Sequence, residues 1–90
     1  MLTEKAFYAR VGARIRAVRL AKGLSQTEVA KRIKSYQQNV GRTERGTENL
    51  TLDVILRIAN ALDVDPSEFF TDEPKIKKTS RGSAPTRRGR

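Results

Sequence analysis

Residues 37–42, Gln-Gln-Asn-Val-Gly-Arg, bring three carboxamide side chains and a guanidinium into one short stretch. A carboxamide offers a donor and an acceptor side by side, the pair that complements N6 and N7 of adenine. A guanidinium offers two parallel donors, which complement O6 and N7 of guanine. Such groups read base edges only when a rigid element narrow enough for the major groove holds them exposed, and an α-helix is such an element. Val40 is the only large apolar residue in the stretch. One anchor therefore holds the segment, and Gln37, Gln38, Asn39 and Arg42 are left as candidate base readers, with a phosphate contact the alternative for Asn39 and Arg42. On an arbitrary surface helix the same polar face would simply be solvated, so the flanking sequence decides.

The flanks supply a frame. From Leu24 to Gly46 the chain fits two short amphipathic helices joined by about three residues, the spacing of a helix-turn-helix. Ser25 and Glu28 have the S-x-x-E spacing of a capping box. Val29, Ala30 and Ile33 give the first helix its apolar face. The second helix is predicted from about Gln37 to Glu44, ending at Gly46, where left-handed backbone suits glycine. Helix N-termini attract phosphate, so Ser25 is a candidate backbone contact as well as a cap. Thr43, Arg45, Thr47 and Asn49 are further candidate phosphate contacts.

Three more helices are predicted, making five in an all-α domain over residues 1–70. The first runs from Thr3 or Glu4 to Lys22, with Phe7, Val11, Ile15 and Val18 as its apolar stripe and Leu20 on the flank. Gly23 closes it, and Arg10, Arg14 and Arg16 lie on its exposed side. The fourth runs from a Thr51 cap to Leu62. The fifth is short, with Asp65 as cap, Pro66 in the first position and Glu68 completing a second capping box. The expected core is Ile15, Val18, Leu24, Val29, Ile33, Val40, Leu52, Ile55, Ile58, Leu62, Val64 and Phe69. Leu50, Val64 and Phe70 are apolar surplus, the expected dimer interface. Residues 71–90 form a second region, a basic tail with Ile76 as its only large aliphatic residue, read as disordered.

Composition narrows the chemistry. The chain has 90 residues and a net charge of +9, with +4 in residues 1–70 and +5 in residues 71–90. A basic balance of this size fits a polyanionic partner. The chain has neither cysteine nor histidine. Disulfides, thiolate or histidine metal sites and Ser-His or Cys-His nucleophiles are therefore excluded. No apolar run approaches the ~20 residues that span a bilayer. The expectation is a cytoplasmic, nucleoid-associated, non-enzymatic protein with no cofactor, no membrane partner and no small-molecule effector.

Arg19, Gly23, Leu24, Ser25, Gln26, Val29, Ala30, Val40, Glu44 and Gly46 stand in ungapped register with the pattern of the Cro/CI (XRE-type) helix-turn-helix repressors. Leu50 to Phe70 resembles that family's last two helices. The resemblance covers roughly residues 10–70 and implies a lambda-repressor-like fold. It also implies that Gln37 and Gln38 contact bases, since QQNV resembles the QQSI-type run of some lambdoid phage repressors. It implies that Gln26 contacts the DNA backbone and braces Gln37, and that Arg19 and Glu44 form a structural ion pair. The chain departs from the family at Lys34, Ser35 and Tyr36, where the family has a glycine, an aliphatic and a small residue. Lys34 is then required to adopt left-handed backbone, at a cost of ~1 kcal/mol. The expected function is a sequence-specific transcriptional regulator, binding double-stranded DNA as a homodimer on a palindromic operator. Phage-type repressor, restriction–modification controller and antitoxin remain open within this class. A protein or RNA interaction module is the alternative outside it.

Overall fold

Local chemistry starts three of the four α-helices and stops all four. In the computed structural model, which describes residues 1–47 and 50–71, α1 spans Glu4–Ala21, α2 Gln26–Arg32, α3 Gln37–Arg45 and α4 Leu52–Leu62. Asn49 and the basic tail beyond Thr71 lie outside the described residues. The Thr3, Ser25 and Thr51 hydroxyls cap α1, α2 and α4 by accepting from the backbone N–H three residues on. The capping box on α2 has both bonds: Glu28 N–H donates to Ser25 Oγ at 3.0 Å, and Ser25 N–H donates to Glu28 Oε1 at 2.8 Å. The bond from the Ser25 N–H holds the Glu28 carboxyl below its usual range.

All four α-helices end in one way. Leu24, Ser35, Thr47 and Val64 donate their N–H groups to the carbonyls of Arg19, Ala30, Arg42 and Ala59, five residues back. The residue before each donor, Gly23, Lys34, Gly46 or Asp63, is left-handed, the geometry of a Schellman motif. Lys34, at φ 57°, takes the conformation that its register with the family requires.

The fifth element differs from the expected α-helix. Residues Pro66–Phe70 form a 3-10 turn. The Asp65 carboxylate accepts from the Ser67 N–H at 2.9 Å, and the Glu68 N–H bonds the Asp65 carbonyl. Asp65 therefore caps two residues ahead, in place of the expected box with Glu68. Five residues opened by a proline develop i→i+3 bonds before an α-helical ladder can start.

The core contains Val11, Ile15, Val18, Val29, Ala30, Val40, Ile55, Ile58, Ala59, Leu62 and Phe69, with Leu24, Ile33, Leu50, Val54, Ala61 and Val64 packed against it. Leu52, expected in the core, is 81% exposed. It shares the nominal stripe of Ile55 and Ile58 but stands on the first turn of α4, where no described residue covers it. Leu20 is exposed, and Phe7 reaches the surface, where its ring stacks on Phe70 at 6.3 Å and 15°. Arg14, expected on the exposed side of α1, is half-buried, and its Nε and Nη2 have no hydrogen-bond partner among the described residues.

Two glycines bring α1 against α3 and its end. A Cβ on Gly12 would lie 2.5 Å from the carbonyl oxygens of Thr43 and Glu44. A Cβ on Gly46, at φ 73°, would lie 2.6 Å from the Cα of Ala9. Gly12→Ala should therefore destabilise the domain by about 1–3 kcal/mol or more, since backbone must move. Lys34→Gly should stabilise it by up to ~1 kcal/mol by relieving the left-handed lysine. Urea midpoints at unchanged m-value check both signs.

Candidate nucleic-acid interface

Arg19 leaves the last turn of α1 and meets Glu44 near the end of α3. Its Nε donates to Glu44 Oε2 at 2.5 Å and its Nη2 to Oε1 at 3.0 Å, while Nη1 donates to the Leu24 carbonyl at 2.8 Å. The two side chains are 8% and 2% exposed. Hydrogen bonding to Glu44 raises the Arg19 pKa above its ordinary value against the opposing effect of burial, so the guanidinium stays charged.

A relay of amides runs outward from this pair. Gln26, on the first turn of α2, donates from Nε2 to Glu44 Oε1 at 3.0 Å. Gln37, on the first turn of α3, donates from Nε2 to Gln26 Oε1. The polarity of this chain has a physical origin. An ionised carboxylate only accepts, so Gln26 must turn its NH₂ toward Glu44. That leaves the Gln26 oxygen facing Gln37, which must turn its own NH₂ inward. The outer edge of Gln37 is then one oxygen acceptor and the remaining N–H donor, the pair that adenine's N6 and N7 require. Gly41 leaves room for the relay: the Gln26, Gln37 and Arg45 side chains all lie within 4 Å of where its Cβ would stand.

The other expected site residues divide by exposure. Gln38 and Arg45 are exposed on α3. Asn39 is half-buried and engaged at both ends, donating to Ser35 Oγ at 3.0 Å and accepting from Arg42 Nη2 at 2.8 Å. It buttresses Arg42, also half-buried, at the edge of the face. Thr43 is 6% exposed, and its hydroxyl donates to the Asn39 carbonyl, so it is turned inward and cannot serve as the expected phosphate contact. This inward rotation follows from the Gly12 contact, which draws the Thr43–Glu44 backbone against α1. Ser25 and Thr47 are exposed, the first as the α2 cap and the second donating its hydroxyl to the Arg42 carbonyl. Sequence reasoning missed the spaces at Gly12 and Gly41 and the double engagement of Asn39. The i, i+4 spacing of Ser35 and Asn39 and the i, i+3 spacing of Asn39 and Arg42 were the available signals for the latter.

A family model described as helix-turn-helix matches residues 15–69. The chain belongs to this helix-turn-helix family, in its XRE-type, Cro/CI-like form. Members of this form are DNA-binding transcription regulators. The chain is 35% identical over 77 residues to an uncharacterized HTH-type transcriptional regulator of Sinorhizobium fredii, covering 84% of this chain and 54% of that protein. It therefore spans about half the length of that relative. It is 36% identical over 60 residues to the control protein C.BamHI of Bacillus amyloliquefaciens, covering 66% of this chain and 74% of that one. The crystal structure of the restriction-modification controller protein C.AhdI from Aeromonas hydrophila superposes with a TM-score of 0.71 at 42% identity, over 73% of this chain and 96% of that one.

In this helix-turn-helix the anchor and the relay should separate on mutation. Glu44→Ala should cost about 3–5 kcal/mol, because it strands a buried guanidinium. Gln26→Ala should cost only about 0.5–1.5 kcal/mol and leave far-UV circular dichroism unchanged. Chemical denaturation of the two variants measures the difference; equal losses would remove Glu44 as the anchor.

Proposed function

We propose that the protein is a sequence-specific transcriptional regulator that places α3 in the major groove of an operator and acts in the cytoplasm at the nucleoid. The observation that carries this reading is the polarised relay from the Arg19–Glu44 pair to Gln37. A folded domain has no need to fix the donor–acceptor order of an exposed amide, whereas adenine readout does. In this reading Gln37 and Gln38 contact bases, and Arg42, held by Asn39, reaches a base or phosphate at the groove edge. Ser25, Gln26, Arg45 and Thr47 face the backbone.

One reading helix covers only ~4–6 base pairs, so a homodimer with its two α3 helices about 34 Å apart on a palindromic site completes the reading. The exposed apolar residues that support such a dimer differ from the ones expected. Leu50 and Val64 turn inward against their own core. Leu52, Leu56 and Phe70 remain 81%, 50% and 45% exposed. Leu52 and Leu56 are one helical turn apart on α4 and form the apolar strip of the proposed interface. The similarity to C.AhdI and C.BamHI favours a controller of restriction and modification genes within the regulator class.

Gln37→Ala and Gln38→Ala should each weaken operator binding by ~1–3 kcal/mol and relax preference at one base pair, with the fold unchanged. Fluorescence anisotropy across single-base operator variants checks this; unaltered preferences in both variants would sink the assignment.

For the dimer, a Leu52→Lys, Leu56→Lys double variant should sediment as a monomer at micromolar concentrations where the unaltered chain is dimeric. A chain that is monomeric with and without DNA would remove the proposed interface.

A further inference from the structure

Three of the four α-helices and the 3-10 turn begin with a side chain that accepts a backbone N–H: Thr3, Ser25, Thr51 and Asp65. The exception is α3. Its N-cap is Tyr36, which makes no side-chain capping bond. The backbone there would serve a capping residue well. Tyr36 has φ −114° and ψ 152°, the extended geometry of the other caps, and its carbonyl accepts from Asn39 at 3.0 Å and Val40 at 3.3 Å. A serine or threonine at this position would stabilise the helix start. The chain instead has an aromatic ring that is 72% exposed, against 0% for Phe69 and 37% and 45% for the stacked Phe7 and Phe70. One residue further on stands Gln37, whose outward edge the relay fixes.

We infer that Tyr36 is a specificity-determining residue whose ring packs on the C5-methyl group of a thymine at or beside the base pair read by Gln37. This inference rests on the proposed insertion of α3 into the major groove. The ring stands at the end of the helix that enters first, and the edges of the base pairs expose one apolar feature there, the thymine methyl. A large apolar surface left in water by the fold, at the position where a polar cap would suit the fold better, is matched by that methyl. Gln37 supplies the hydrogen-bonding half of the readout and Tyr36 the apolar half.

The test begins with a duplex enriched from a random-sequence pool by the full chain. Each thymine is then replaced singly by uracil, which removes the methyl and leaves the hydrogen-bonding edge intact. The unaltered protein should lose about fourfold in affinity at one thymine per half-site, the effect of one buried methyl-sized group. Tyr36→Phe should show the same loss at the same position. Tyr36→Ser should bind thymine and uracil duplexes equally there, while its Tm rises by about 4–8 °C from the restored cap.

Four results would overturn the inference: uracil has no effect at any position; Tyr36→Ser keeps the sensitivity; Tyr36→Phe loses it, which would assign the hydroxyl; or Tyr36→Ser lowers Tm, which would make the ring structural. If no duplex is enriched, the DNA-binding reading itself fails and takes this inference with it. An enriched duplex that is indifferent to uracil removes only the role of Tyr36.

Discussion

Arg19 and Glu44 lie 25 residues apart and meet in a pocket that leaves their side chains 8% and 2% exposed. Two charges removed from water persist only where each is fully satisfied. Here the guanidinium has three hydrogen-bonded nitrogens, two on the carboxylate and one on the Leu24 carbonyl, and the carboxylate accepts additionally from Gln26. The end of α1, the loop after it, the start of α2 and the end of α3 are thus tied to one point. Apolar residues of similar volume would also fill this space, but they would not orient an amide. The carboxylate is a pure acceptor, and that single property propagates through Gln26 to set which way Gln37 faces at the surface.

The same constraint explains how a helix as polar as α3 stays in place. Val40 is its only large apolar residue, and packing of one side chain does not fix a helix in rotation. The missing specification comes from backbone proximity. Gly12 lets α1 approach the carbonyls of Thr43 and Glu44, and Gly46 lets the end of α3 close on Ala9. With those residues drawn inward, Gln37, Gln38 and Arg45 have to face out. Glycine is needed at Gly12 for lack of space and at Gly46 for both space and a positive φ.

Local preference is set aside at two neighbouring positions. Lys34 occupies left-handed backbone where glycine would be relaxed, and Tyr36 occupies an N-cap where a short polar residue would hydrogen-bond. Both flank the turn between α2 and α3. Departures of this kind concentrate where a chain meets its partner, because a surface selected for recognition is not the one that folding alone would choose. Elsewhere the local rules hold better: hydroxyls cap α1, α2 and α4, all four α-helices have Schellman ends, and the other non-glycine residue in left-handed backbone is Asp63, a type that tolerates it.

Much of this was legible in the residue order. The capping box at Ser25 and Glu28, the Thr51 cap and the apolar repeats of α1 and α4 are short-range effects, decided within one or two turns, and they placed the elements. The left-handed state of Lys34 was implied by its register with the family's turn glycine. Tertiary structure decided the rest, because the answer depended on what stood opposite. Leu52 and Ile55 belong to one helical stripe, yet among the described residues only Ile55 is covered. Leu50 and Val64 read as surplus but found contacts in their own core, and Phe70 found the ring of Phe7. Thr43 read as a surface hydroxyl until Gly12 drew its backbone against α1. The amide order of Gln37 cannot be deduced from neighbours in sequence, since the charge that sets it is Glu44, seven residues on and linked only through Gln26. Periodicity and capping determine where a helix is and which side is apolar. Only the approach of a second backbone or a buried charge determines how far it is turned and which atom of an exposed side chain faces the solvent.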